Sequence, residues 1–284
     1  MASRRQVALQ DRVSGLAERG IVPTIAPILV GDNSASRLYY NAKKRLAERL
    51  GIGFAGVELP EETRQEDLLN VIDALNADPQ VDGIFVELPL PAHISLEAVT
   101  RAIDPEKDID CINPVSMGRM LVESAHAKDY RELSNQPDIL LPATPQAVME
   151  LLLESGVDLV GKEAVVIGRS LSVGRPLSLL LLTAGATVTV CHSMTVSIED
   201  IARRADVLCV SIGKPRYITL RMVKREAVVI DVGINVTQEG IVGDVDYEGV
   251  APRARLITPV PGGVGPMTTT MIMENVVKCA SNRT

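Results

Sequence analysis

The fold is decided by the stretch "EAVVIGRSLSVGRPLSLLLLTAGATVTVCH", residues 163–192. It opens with a short apolar run typical of a buried strand, and a leucine-rich helical pattern is expected to start directly after Gly168. A second run rich in β-branched residues follows a glycine at position 185. A strand, a helix and a strand of these lengths predict two parallel strands joined by a crossover helix.

The same alternation extends over most of the 284 residues. Further strands are expected at residues 24–31, 53–59, 81–88, 206–213 and 227–235. Further helices are expected at residues 34–52, 63–78, 144–156, 198–205 and from Pro266 toward Cys279, and residues 125–137 are expected to be irregular. The pattern predicts an α/β protein of two domains with parallel-type sheets, the second Rossmann-like. The predicted limits are 1–139 plus a returning C-terminal helix, 266–284, for the first domain and 140–265 for the second.

Composition narrows the function classes. Hydrophobic residues make up 46% of the chain, but aromatic residues only 2%, and the net charge is -7. Few rings for base stacking and an acidic balance argue against nucleic acid as the main partner. The four cysteines form no CxxC pair, which favours a reducing cytoplasm and no metal site. The start of the chain does not read as a signal peptide, and the uncharged stretch 176–198 is interrupted by polar residues, so no membrane association is expected.

A cofactor site is predicted where the first strand of the quoted stretch meets its helix. Gly168 and Gly174 would let backbone N–H groups approach a phosphate at the helix N-terminus, although a tight structural turn has the same signature. NAD-binding units usually end their second strand in an acid, whereas this chain has Ser193 close to that point. Because Arg169 and Ser193 could both bind a 2′-phosphate, NADP is favoured over NAD.

Two later strands also end in glycine. These are "SIGKP" with Gly213 and "DVGIN" with Gly233. Ligands bind at the carboxyl ends of parallel strands, so both loops are candidates to border the nicotinamide, but each glycine could equally serve only to end its strand.

Candidate substrate residues lie mainly in the first half of the chain. Tyr39 and Lys43 are four residues apart on one predicted helix and so project to the same side, although this spacing is also common on exposed helix surfaces. Asp108 and Asp110 follow in a loop. The loop "TPVPGGVGPMT", residues 258–268, is rigid and rich in glycine, which suits close approach of backbone to a ligand.

Taken together, these segments resemble the methylenetetrahydrofolate dehydrogenase/cyclohydrolase family. The segments that carry the resemblance occur in the family's order and include "DGIFVELPLP", "PEKDIDCINPVSMGRM", "GKEAVVIGRSLSVGRPLSLLLL", "DVGIN" and "TPVPGGVGPMT". They extend from Val30 to Thr270 and so cover both predicted domains. Chance agreement over this length is very improbable.

The resemblance implies NADP-dependent oxidation of 5,10-methylenetetrahydrofolate to the methenyl cation, followed by hydrolysis to 10-formyltetrahydrofolate. It also implies a homodimer formed through the cofactor domain. The implied reaction requires no metal. By the resemblance, Lys43 is the catalytic lysine, Tyr39 stacks on the substrate ring and Asp110 binds the pterin. The implied cofactor contacts are Gly168, Arg169, Ser170, Gly174, Ser193, Gly213, Gly233 and Ile234. The implied substrate loop is Pro261, Gly262 and Gly263.

The chain departs from the family's pattern beside the expected folate site. Glu87 replaces the usual glutamine, and Cys111 replaces the glycine that follows the pterin-binding acid; the family's "PCTPxG" reads 142–147 "PATPQA". Glu87 is expected to lie beside Lys43. An ionised Glu87 would raise the pKa of Lys43 and slow hydrolysis, whereas a protonated Glu87 would mimic the amide.

Three alternatives therefore stay open at the sequence level. They are a dehydrogenase without cyclohydrolase activity, a dehydrogenase for a related pterin carrier such as tetrahydromethanopterin, and a nucleotide-binding regulator on the same scaffold. Retention of Tyr39, Lys43 and Asp110 disfavours the regulator, which need not keep residues that carry chemistry.

Overall fold

The computed structural model describes residues 1–282, which form two compact units. The first unit comprises Met1–Val122, Asn135–Ala143 and the chain from Thr269 onward, and the second comprises Glu123–Ser134 and Thr144–Thr268. The units therefore have more segments than the two predicted domains, because Glu123–Ser134 groups with the second unit. The limits 139/140 and 265/266 remain a prediction.

Helices and strands alternate along much of the chain, except for a run of four consecutive helices between residues 96 and 154. The helices are α1 (Ala2–Glu18), α2 (Ser34–Leu50), α3 (Gln65–Ala77), α4 (Leu96–Ala102), α5 (Pro114–His126), α6 (Tyr130–Asn135), α7 (Ala143–Glu154), α8 (Gly174–Thr183), α9 (Ile198–Ala202), α10 (Tyr247–Val250), α11 (Val264–Asn282) and a 3-10 turn at Leu220–Met222. The strands are β1 (Thr24–Val30), β2 (Gly53–Phe54), β3 (Val57–Leu59), β4 (Gly83–Val86), β5 (Glu163–Ile167), β6 (Thr187–Cys191), β7 (Val207–Val210), β8 (Val228–Asp231), β9 (Asn235–Thr237), β10 (Gly240–Val242) and β11 (Leu256–Ile257).

The first unit is built around β1. Strands β2, β3 and β4 all pair with it in parallel. Strand β2 pairs with the start of β1, β3 with its end, and β4 with Ile25 to Ile28. Every residue of β1 after Thr24 is buried, as expected for a strand covered on both faces. Helix α2 follows β1 and is well defined at both ends, because the Asn33 side chain accepts hydrogen bonds at its start and Gly51 takes the left-handed conformation at its end.

The second unit contains a parallel five-stranded sheet in the order β11-β8-β7-β5-β6. Strand β5 pairs with β6 on one side and with β7 on the other. Its apolar core includes Val165, Ile167, Leu208, Val210 and Val229. The α/β class with parallel sheets, predicted from the sequence, is confirmed.

Several local predictions were wrong. Helix α8 starts at Gly174, not directly after β5, so residues 169–173 form a loop instead of a first helical turn. The predicted strand at 227–235 ends at Asp231, and its last residue starts β9, which pairs antiparallel with β10. The stretch 125–137, expected to be irregular, contains α6.

The helical spacing of Leu38, Ala42, Leu46 and Leu50 predicts an apolar face of α2 that begins at Leu38, and this start was wrong. Leu38 is 45% exposed, whereas Tyr40 and Lys43 are buried. Helices α4 and α5 had not been predicted. In the part of the chain described, no helix is long and apolar enough to cross a membrane. All four cysteines are buried and reduced.

We predict that Gly174→Ala destabilises the protein. A Cβ at this position would overlap the backbone carbonyl group of Gly168, so either β5 or α8 has to shift. The expected loss in the free energy of unfolding is about 1–3 kcal/mol, measured by urea titration. Gly118→Ala in α5 is the control, because open space surrounds that position, and it should gain about 0.5–1 kcal/mol. Equal stability of the Gly174→Ala variant and the wild type would contradict this.

Candidate functional site

A buried ion pair lies at the carboxyl edge of the first sheet. Lys43, on α2, donates from Nζ to both carboxylate oxygens of Glu87, at 2.8 and 2.9 Å. Both side chains are 4% exposed. Glu87 directly follows β4, and its backbone N–H donates to Ile28 of β1, which fixes the point where the chain leaves the sheet. The sequence-based expectation that Lys43 is the neighbour of Glu87 is therefore confirmed.

Aromatic rings surround the lysine. Its Nζ lies 4.1 Å from the ring centroid of Phe85 and 5.9 Å from that of Tyr39. Tyr39 is only half-buried, so it retains a face that a flat ligand can reach. The four-residue spacing of Tyr39 and Lys43 thus brings both groups to one side of α2, as predicted. Phe85 was not among the predicted site residues, although its place two residues before Glu87 puts it on the same strand face.

Burial dominates the titration of this pair. It lowers the pKa of Lys43 and raises the pKa of Glu87, while the attraction between the two groups opposes both changes. Loss of solvation outweighs the charge of Glu87, so the pKa of Lys43 is lowered overall. The expectation that a charged Glu87 raises the pKa of Lys43 is confirmed in direction, because the attraction to Glu87 opposes the effect of burial.

Asp110 lies in the loop after β4 and α4 and interacts electrostatically with Lys43. Burial and the neighbouring Asp108 carboxylate raise the pKa of Asp110 to about 7, and a backbone hydrogen bond from Ala143 partly opposes this shift. Asp110 is half-buried, whereas Asp108 is fully buried. The structure thus groups Tyr39, Lys43, Glu87 and Asp110 in the first unit.

The loop that carries Asp110 is held from both sides. Asp108 accepts hydrogen bonds from the backbone of Ile112 and Asn113, and Asn275 of α11 donates to the Ile109 carbonyl at 2.8 Å. Cys111, in place of the family's glycine, has a left-handed φ of 51° and is completely buried. Asp108 and Asn275 therefore position the loop, a role that their sequence context does not reveal.

The second unit has a glycine turn between β5 and α8. Gly168 has φ 124°, and a Cβ there would overlap the Ser211 carbonyl oxygen, so only glycine fits between these strands. Ser170 accepts hydrogen bonds at Oγ from the backbone of Val173 and Gly174, at 3.2 and 3.3 Å. The turn and the start of α8 together offer a backbone cradle of the kind that binds phosphate.

Arg169 extends from this turn toward the loop after β6. Its guanidinium contacts the sulfur of Met194 at 3.9 Å. The loop is a tight turn in which Thr195 bonds to His192 through both backbone and side chain, and Ser193 is exposed at its tip. Arg169 and Ser193, predicted as partners for one phosphate, therefore border the same surface.

The loops after β7 and β8 contain the other predicted cofactor residues. Gly213 is in the loop after β7, and Gly233 and the 37%-exposed Ile234 are in the loop after β8. Pro261–Gly263, predicted as the substrate loop, directly precede α11. All of these belong to the second unit. Two buried acids, Asp231 and Asp244, bond to these loops and were not predicted as part of the site.

Comparison with known proteins identifies the family. Residues 1–110 match the catalytic domain of tetrahydrofolate dehydrogenase/cyclohydrolase, and residues 142–284 match the NAD(P)-binding domain of the same enzyme. The chain belongs to the tetrahydrofolate dehydrogenase/cyclohydrolase family. The four grouped residues of the first unit fall within the catalytic-domain match, and the predicted cofactor residues fall within the NAD(P)-binding match.

Relatives in this family resemble the chain over its whole length. The bifunctional protein FolD of Streptococcus pneumoniae is 48% identical over 282 residues, which is 99% of this chain and 94% of the relative. The crystal structure of the bifunctional FolD enzyme of Campylobacter jejuni is 42% identical with a TM-score of 0.92, covering 100% of this chain and 96% of the other. The Trypanosoma brucei dehydrogenase–cyclohydrolase, solved with NADP cofactor and an inhibitor, is 36% identical with a TM-score of 0.91, covering 99% and 95%.

Proposed function

We propose that this protein oxidises 5,10-methylenetetrahydrofolate to the 5,10-methenyl compound with NADP, and hydrolyses the product to 10-formyltetrahydrofolate at a rate restrained by Glu87. The observation that carries the proposal is the grouping of Tyr39, Lys43 and Asp110 at one sheet edge in a chain of this family. Removal of hydride from a carbon between two nitrogens leaves a delocalised cation, so the protein mainly has to align its ligands.

On the folate side, Asp110 is proposed to accept hydrogen bonds from the amino and ring N–H groups of the pterin. Such bonds favour the ionised carboxylate, which its pKa of about 7 leaves partly populated at neutral pH. The accessible face of Tyr39 is proposed to stack on the substrate ring. Neither role needs proton transfer, so both serve oxidation and hydrolysis alike.

Hydrolysis makes a further demand, because a water molecule has to lose a proton as it attacks the methenyl cation. Lys43 is the proposed base, since burial lowers its pKa and increases the neutral fraction. Glu87 holds the ammonium form through two hydrogen bonds and so reduces that fraction. This favours a protein in which oxidation outruns hydrolysis.

The residues of the second unit fit a dinucleotide. The cradle formed by Gly168, Ser170 and the start of α8 is proposed to bind the pyrophosphate, and Arg169 with Ser193 to bind the 2′-phosphate. Bound NADP would supply the hydride acceptor.

An absorbance assay tests the function. Methylenetetrahydrofolate with NADP should produce NADPH and methenyl absorbance, and the methenyl band should then decay slowly. Absence of NADPH formation with both NADP and NAD would overturn the dehydrogenase proposal. Activity with methylenetetrahydromethanopterin alone would identify the other pterin carrier.

Lys43→Met is predicted to lower the rate of methenyl hydrolysis by about 100-fold or more while partly sparing oxidation, because only hydrolysis needs the titrating amine. Stopped-flow absorbance of the two steps provides the comparison. Lys44→Met is the matched control, since Lys44 is exposed on the same helix. Undiminished methenyl decay in Lys43→Met would refute the role of Lys43.

Glu87→Gln is predicted to accelerate hydrolysis by up to about tenfold, because loss of the adjacent charge lowers the pKa of Lys43 further and increases its neutral fraction. The oxidation rate should change less. The measurement is the ratio of methenyl decay to NADPH formation. An unchanged ratio would show that the charge at position 87 does not restrain the second step.

Arg169→Ala is predicted to raise the KM for NADP by about tenfold and to leave the KM for NAD nearly constant, because only NADP carries the 2′-phosphate. Arg225→Ala is the control, an exposed arginine that precedes β8 at the opposite edge of the sheet. Equal losses for NADP and NAD would exclude Arg169 as the 2′-phosphate ligand.

We also propose a homodimer formed through β6. This strand is at the edge of its sheet and exposes Val190, and Leu182 on the preceding α8 is 59% exposed. Val190→Asp is predicted to shift the mass in light scattering toward the monomer, while Val236→Asp on the β9–β10 hairpin should not. A wild-type monomer would contradict the proposal.

A further inference from the structure

Two buried carboxylates connect the loops after β7 and β8. Asp244 is completely buried, and its Oδ2 accepts hydrogen bonds from the backbone of Ile212 and Gly213, at 2.6 and 3.0 Å. Its Oδ1 accepts from the Lys214 backbone at 2.8 Å and the Asn235 side chain at 2.9 Å. One side chain thus receives four donors from two separate loops.

Asp231, the last residue of β8, extends this arrangement. It accepts hydrogen bonds from the backbone of Gly233 and Asp244, both at 3.0 Å, and from Val245 at 2.9 Å. The packing is tight, because a Cβ on Gly233 would overlap the Asp244 carboxylate. The Asp231–Asp244 pair therefore fixes the backbone of the loops 212–214 and 233–235 at once.

The position of these loops relative to the phosphate cradle indicates a function for the Asp231–Asp244 pair. The sheet order β8-β7-β5-β6 places the Gly168 turn at the point where strand order reverses, with Arg169 and the β6 loop to one side. A dinucleotide crosses such a point with its pyrophosphate over the turn. The adenosine half then lies toward β6, and the nicotinamide half lies toward β7 and β8.

We propose that Asp244, supported by Asp231, is a positioning residue that shapes the pocket for the nicotinamide half of the cofactor without touching the cofactor. The inference rests on the proposed NADP binding. It separates the residues of the cofactor site into two groups: Arg169 and its neighbours set affinity for the adenosine half, and the Asp231–Asp244 pair sets affinity for the nicotinamide half.

Asp244→Asn tests this directly. The asparagine amide keeps one acceptor oxygen, but its NH₂ group would face two of the four N–H donors. Two donors cannot hydrogen-bond to each other, so the loops have to separate. Calorimetry should show at least about a tenfold loss of NADP affinity. Affinity for adenosine 2′,5′-bisphosphate, which lacks the nicotinamide half, should stay within about twofold of the wild type.

Asp246→Asn is the matched control. Asp246 is two residues away and only caps α10, through a bond from Gly249, so both affinities should remain at the wild-type values. Retained binding of the bisphosphate also shows that the second unit of the Asp244→Asn variant is folded. If the Asp244→Asn variant binds neither ligand, Asp231→Asn is measured instead. Asp231→Asn is expected to lose affinity for NADP and to keep its affinity for the bisphosphate.

Equal changes for NADP and the bisphosphate in Asp231→Asn, or unchanged NADP affinity in a folded Asp244→Asn variant, would overturn the inference while leaving NADP binding intact. A wild-type protein that binds neither ligand would instead overturn the proposed function and the inference with it.

Discussion

Both main sheets are parallel, and this constraint determines where chemistry can occur in the protein. In a parallel sheet the loops that leave the carboxyl ends of the strands gather at one edge. Glu87 follows β4 in the first unit, while Gly168, Ser193, Gly213 and Gly233 follow four neighbouring strands in the second. Residues far apart in sequence become neighbours through this single rule, with short apolar strands setting the frame and the loops supplying the functional groups.

Within that frame lies the buried Lys43–Glu87 ion pair. Burying two opposite charges costs solvation on both sides, and their mutual attraction offsets only part of that cost. The lysine consequently has a lowered pKa, yet a higher one than a neutral partner would leave it. In the proposed mechanism only hydrolysis depends on that pKa, so one carboxylate can change the balance between two reactions at one site.

The sequence predicted the parallel α/β architecture because apolar runs and glycine punctuation are local signals. It placed Glu87 beside Lys43 only through the resemblance to the family. In the structure the two residues meet because β4, which Glu87 follows, pairs with β1, and α2, which carries Lys43, follows β1. The sequence did not predict where α8 begins, because residues 169–173 have a helix-compatible composition, whereas in the structure the backbone N–H of Val173 donates to the Ser170 side chain in a turn. The roles of Asp108, Asp231 and Asp244 were hidden for a similar reason. Each is defined by backbone donors from distant loops, and no spacing in the sequence reports those partners.

Glu87 is proposed to control the protonation of Lys43, and the pKa of Lys43 is the most direct measure of that control. Nuclear magnetic resonance of isotopically labelled lysine side chains, titrated in the wild type and in the Glu87→Gln variant, provides it, with the Lys43→Met variant identifying the signal. We predict a pKa of Lys43 below the ordinary lysine value in both proteins, and a lower one in the Glu87→Gln variant than in the wild type. Equal values in the two proteins, or a higher value in the variant, would contradict it.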